Sequence, residues 1–244
     1  MQSVQPTSAL PLRHEDEATG LVAAIFADVR RRMSFVPALF KALAVDPDAL
    51  EQAWLQARAL YDDPRSKPAA ATLLEVAAGA RLPYRAPSPV RRAVTPFVRE
   101  LPSMLLIVTS LRLAVDGDLP RRPRPSKSIP PAVSAPEPVV PESREEHPLF
   151  EEIRATYGTT YVPSMFRSLS AQGLLEDPWG AIGPFLASPA GAGLARKVAA
   201  AAEEAARGFP EVAFFDAESG RPVIDQFSIA LPRNLVFAVA ASTV

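Results

Sequence analysis

The chain offers few groups that can carry covalent or proton-transfer chemistry. It has no cysteine, which excludes thiolate nucleophiles, disulfides and CxxC redox centres. Its two histidines, His14 and His147, each precede a helical stripe and are expected to face solvent. Two histidines leave a Ser-His-Asp triad or a His-rich metal site little to draw on, so neither metal nor cofactor is expected. What stands out instead is a pair of matching segments. Phe35-Val-Pro-Ala-Leu-Phe-Lys-Ala-Leu43 corresponds to Tyr161-Val-Pro-Ser-Met-Phe-Arg-Ser-Leu169, at an offset of 126 residues. With Pro37 and Pro163 in the first turn of a helix, the N–H groups of Leu39 and Met165 are free donors, joined by the Ser164 hydroxyl. Unpaired donors and the helix dipole attract anions, so two such starts converging would make an acid-binding site. Trp54 and Trp179 also correspond; they read as core anchors, with a ligand platform as the other option.

The positioning elements form an internal repeat. Ile25-Phe-Ala-Asp-Val-Arg30 matches Leu149-Phe-Glu-Glu-Ile-Arg154 at 124 residues, and Leu50, Glu51 and Trp54 match Leu175, Glu176 and Trp179 at 125. Phe97-Val-Arg-Glu-Leu-Pro102 matches Phe227-Ser-Ile-Ala-Leu-Pro232 at 130. Four blocks in one order indicate a duplicated unit of roughly 100–110 residues. Each unit reads as helical. Leu21, Val22, Ile25, Phe26 and Val29 form an i, i+3, i+4, i+7 stripe over residues 18–33. Asp46-Pro47 is a cap followed by proline at the first helical position. Residues 66–80 and 190–207 are alanine-rich, and 92–115 is almost wholly apolar from Met104 to Leu113. Ser143 and Glu146 suggest a capping box, and 211–223 alone has a faint hairpin look. The expectation is an all-α fold of two related helical repeats packed as an intramolecular pseudo-dimer. The boundaries are 13–116, a proline-rich linker at 117–142, and 143–244.

Composition narrows the partners. Against 26 Lys and Arg stand 27 Asp and Glu, which argues against a broad electropositive face for nucleic acid. No run approaches the roughly 20 uncharged apolar residues of a bilayer span, and the first dozen residues lack a secretory pattern, so a cytoplasmic location is expected. Proline, 27 of 244, concentrates between Pro120 and Pro141, where extended polyproline II chain is expected. The Arg121, Arg122, Arg124 and Lys127 cluster there reads as a solvated tether. A cleft between two helical units favours a small-molecule ligand, a carboxylic acid among the candidates. Homodimer formation is left open.

The duplicated pattern I/L-F-x-x-I/V-R, V-P-x-x-F-R/K-x-L, a later Trp and a closing L-P resembles the group I 2-haloacid dehalogenase family. The resemblance spans both halves and implies an all-helical pseudo-dimer. It further implies cofactor-independent hydrolysis of a 2-haloalkanoic acid, in which an aspartate activates the water that displaces halide. The family's base falls within the second repeat's counterpart of Pro163-Ser164-Met165-Phe166-Arg167, and Met165 stands where that aspartate is expected. A thioether cannot take a proton from water. Glu100, Asp225 and Glu176 are candidate substitutes if burial raises their pKa, against a simpler reading of all three as helix-surface acids. Two functions follow: a hydrolase with altered chemistry, or a non-catalytic member binding a small apolar or carboxylate ligand between the halves.

Overall fold

A computed structural model describes residues 10–80, 82–119, 140–209 and 218–243. The first half contributes α1 (Gly20–Arg32), α2 (Ala38–Leu43), α3 (Pro47–Asp62), α4 (Ser66–Ala77) and α5 (Ser88–Val115). The second contributes α6 (Leu149–Tyr157), α7 (Ser164–Ala171), α8 (Glu176–Ala187), α9 (Pro189–Arg207) and α10 (Arg221–Ser242). Short 3-10 turns stand at Glu15–Glu17 and Glu218–Gly220, and there is no strand among the described residues. The all-α reading holds. The sequence correspondence pairs α1 with α6 and so on through α5 with α10, each pair in the same order.

The most extensive helix contact joins α5 to α10. The shorter contacts are reciprocal: α2 of the first half lies on α10 of the second, and α7 of the second lies on α5 of the first. One continuous apolar cluster therefore takes side chains from both halves, each buried Leu, Ile or Phe contributing about 1.5–3 kcal/mol. Burial against α5 also explains why α10 is so apolar. By length and composition alone α10 could cross a membrane, a correction to the sequence reading, but 67% of its most apolar stretch is buried inside the fold.

Several local expectations change. Pro37 and Pro163 are not first-turn residues; their extended ψ values, 147° and 143°, place them one residue earlier, as caps. The Ser143–Glu146 box does not form. α6 starts only after Pro148, the Ser143 hydroxyl accepts from the Glu145 N–H, and His147 Nδ1 accepts from the Leu149 N–H. His14 and His147 are half-buried, not exposed. Asp46 does cap α3, accepting from Asp48 and Ala49. The described part of the hairpin-like segment is the 3-10 turn and the start of α10; residues 210–217, and the polyproline and basic linker at 120–139, lie outside the described residues. In α9, a Cβ at Gly191 would overlap the Phe185 carbonyl, so α8 and α9 meet only through glycine.

The two halves differ in how they hold their tryptophans. Both rings are buried core anchors. Trp54 Nε1 donates to buried Asp28 at 2.9 Å, and Arg31, Arg32 and Arg58 reach the same carboxylate at 2.9, 2.6 and 3.5 Å. Burial works to raise the Asp28 pKa, but the Trp54 N–H with Arg31 and Arg32 outweighs it and holds the carboxyl below its ordinary range. Its counterpart Glu152 is exposed, and Trp179 Nε1 has no partner among the described residues.

Removing the Asp28 carboxylate strands a buried N–H and several guanidinium groups. Asp28→Asn is expected to lower stability by about 2–3 kcal/mol in urea unfolding at pH 7. Because the folded pKa is depressed, this difference is complete above about pH 5 and shrinks as pH falls through the folded value. Trp54→Phe should cost more than Trp179→Phe, since only the first leaves a buried carboxylate short of a donor; the same denaturation series checks it.

Candidate functional site

An apolar cavity opens where α2, α5, α7 and α10 meet. Its wall consists of seven pairs at repeat-equivalent positions: Phe35 and Tyr161, Pro37 and Pro163, Ala38 and Ser164, Leu39 and Met165, Phe97 and Phe227, Leu101 and Leu231, Met104 and Asn234. The aromatic contacts match across the pairs, Phe35 lying 4.9 Å from Phe97 and Tyr161 stacking on Phe227 at 4.4 Å. About 30 Å³ is open to the centres of water-sized groups. Since one water needs roughly 10–15 Å³ on that measure, the space suits a molecule of a few heavy atoms.

Among the described residues, no Asp, Glu, His, Lys or Arg lines this wall. Tyr161 is its one titratable side chain, and burial pushes that phenol well above its ordinary pKa, so it stays protonated. Two buried polar atoms in wall residues lack a partner among the described residues, the Tyr161 hydroxyl and Asn234 Oδ1. Each residue is nearly inaccessible, at 4% and 3% exposure, and an unpaired buried polar atom costs about 1–3 kcal/mol. The N–H groups of Leu39 and Met165, at the starts of α2 and α7, make no hydrogen bond among the described residues. Those of Phe40, Lys41, Phe166 and Arg167 turn back to the proline carbonyls.

Beside the cavity, and sharing Phe35 with it, lies a wider charged cleft of about 550 Å³. Its charges are largely paired: Arg30 with Glu15 at 3.0 Å, Lys41 with Glu142 at 2.8 Å, and Arg144 with Asp16. Burial, then Arg144 and Lys41, lower the His14 pKa. Lys41 is itself buried, and Arg167 turns to Glu146 at 3.6 Å. Among the described residues no group of three or more His, Asp or Glu stands close enough to hold a metal.

No family model matches the chain, and no curated protein matches it. Solved structures do. A D-2-haloacid dehalogenase mutant in complex with D-2-CPA superposes with a TM-score of 0.78 at 14% identity, covering 96% of this chain and 95% of the other. The chain has the 2-haloacid dehalogenase fold. A D-2-haloacid dehalogenase with L-LA matches at TM-score 0.71 and 15% identity over 99% and 98% of the two chains. A D-2-haloacid dehalogenase mutant matches at 0.67 and 15% over 96% and 93%. The resemblance read from the repeat motifs is therefore matched at the level of fold.

Within this dehalogenase fold, the expected site residues divide cleanly. Leu39, Ser164 and Met165 line the cavity; Trp54 and Trp179 do not. Asp225 and Glu176 are exposed, as surface acids should be. Glu100 corrects that reading, because it is 1% exposed. It still lies outside the wall, held by Arg99 at 2.9 Å, Tyr61 at 3.2 Å and Ser34 at 3.4 Å. Burial, reinforced by Glu100, lifts the Tyr61 phenol to about 12, which keeps it a donor to this carboxylate. Met104 is also a wall residue. Tyr161, Asn234, Phe35, Phe97 and Phe227 were missed. Each stands at a repeat-equivalent position, but the repeat alone does not mark which of those positions face a cavity.

Met165→Asp would place a lone carboxylate in this wall. Burial raises its folded pKa above the unfolded value of about 3.9. The variant should therefore match the parent most closely below about pH 4 and lose stability progressively as pH rises toward 7, read by thermal unfolding across that range.

Proposed function

We propose that this chain binds a small molecule in the cavity between its two halves and does not hydrolyse carbon–halogen bonds. The reading is carried by the wall itself, which Met165 lines at the position where the family resemblance expects the base, and which has no ionised side chain among the described residues. Water attack at C2 of a haloacid needs a carboxylate or imidazole within hydrogen-bond reach of that water. Glu100 is engaged elsewhere, and Tyr161 stays protonated. The seven wall pairs support two copies closing about a pseudo-twofold axis, with the ligand on or near that axis. Small size and an apolar surface suit a cofactor-independent binding module.

The hydrolytic reading rests on fold likeness to D-2-haloacid dehalogenases, and a fold hosts unrelated chemistries. Purified protein incubated with each enantiomer of 2-chloropropionate is expected to release chloride no faster than buffer. Stereoselective chloride release that scales with protein concentration would overturn the binding-only assignment.

A further inference from the structure

The two ends of the cavity are not alike. Of the seven wall pairs, three differ in polarity: Phe35 against Tyr161, Ala38 against Ser164, and Met104 against Asn234. In all three the polar member belongs to the second half. At these positions the first half thus contributes apolar side chains and the second half hydrogen-bonding ones, with no charged side chain among the described residues of the wall.

We infer that the cavity selects an uncharged, short-chain molecule with a single carbonyl or hydroxyl head, held head-first against Tyr161 and Asn234. This rests on the binding role proposed above and names its ligand class. The tyrosine hydroxyl both donates and accepts, and the asparagine amide offers two N–H donors and an acceptor oxygen. Both carry a buried atom without a protein partner, so a head group that supplies an acceptor and a donor relieves both. A primary amide does so, as does a carboxylic acid in its protonated form. An ionised carboxylate does not fit. It would enter an apolar space with no cation, and its desolvation exceeds what the α7 start and two neutral side chains return. The hydrocarbon end meets Phe35, Ala38 and Met104, where only dispersion and burial act.

The test uses the whole chain and three probes: isobutyramide, isobutyrate and xenon, followed through the methyl NMR signals of Met104 and Met165. Isobutyramide is expected to shift both signals saturably at pH 7.5, with isobutyrate at least ~10-fold weaker and gaining affinity as pH falls toward its own pKa. Tyr161→Phe with Asn234→Met gives the second half the first half's residues at two positions. It should weaken isobutyramide at least ~10-fold while keeping the xenon response. If the double variant fails to fold, Tyr161→Phe alone, which changes no packing volume, should weaken isobutyramide by at least ~3-fold with xenon unaffected. Isobutyrate binding at pH 7.5 as tightly as the amide, or amide affinity unchanged in the variants, would overturn the head-group assignment while leaving the cavity a binding site. No response to either isobutyramide or xenon would overturn the binding role as well.

Discussion

The long contact between α5 and α10 is the constraint on which everything else hangs. Each helix belongs to a different half, and each donates an aromatic, a leucine and a third residue, one turn apart, to the cavity wall. The small helices α2 and α7 then cross over to the opposite half's long helix and close the space from the sides. Both long helices also carry an internal proline directly after their wall leucine, Pro102 after Leu101 and Pro232 after Leu231. Proline withholds one backbone N–H and interrupts the regular ladder. Each interruption falls one residue beyond a leucine of the cavity wall.

What the site can do follows from what its walls lack. Proton abstraction from water needs a base with the right pKa in reach, and position alone does not supply one. In the first half a buried carboxylate does exist at Glu100, and Tyr61, Arg99 and Ser34 hold it outside the cavity wall. The same residue type performs unlike tasks according to its neighbours, which is why inheritance of a fold carries so little of the chemistry performed within it.

Most of the architecture could be read from residue spacing. The stripe Val22, Ile25, Phe26, Val29, the Asp46-Pro47 cap, the alanine-rich runs and the apolar run up to residue 115 placed α1, α3, α4, α5 and α9 to within a few residues. Failures came where a distant partner decided the outcome. Glu100 looked like a surface acid because nothing local shows that Tyr61, 39 residues earlier, will cover it. The Ser143 box was plausible on spacing but lost to Pro148, which delays α6. Leu39, Ser164 and Met165 were legible because a proline marks each helix start. Tyr161 and Asn234 were not, because their significance arises only when α7's approach and α10 meet across some 70 residues of intervening chain.

The path that ties the halves together has a separate consequence. Glu142, at the end of the segment joining the two repeats, is clasped by Lys41 of the first half, and the Ser143 N–H is bound to Arg167 of the second. The junction is thus fastened at its exit to both halves, and the bulk of the adhesion lies in the α5–α10 contact. The covalent bridge acts chiefly as a source of high local concentration, a quantity that falls only slowly with bridge length. Insertions between Leu119 and Val140 are accordingly cheap for folding. A chain cut there would become a two-piece assembly, with its integrity set by dilution.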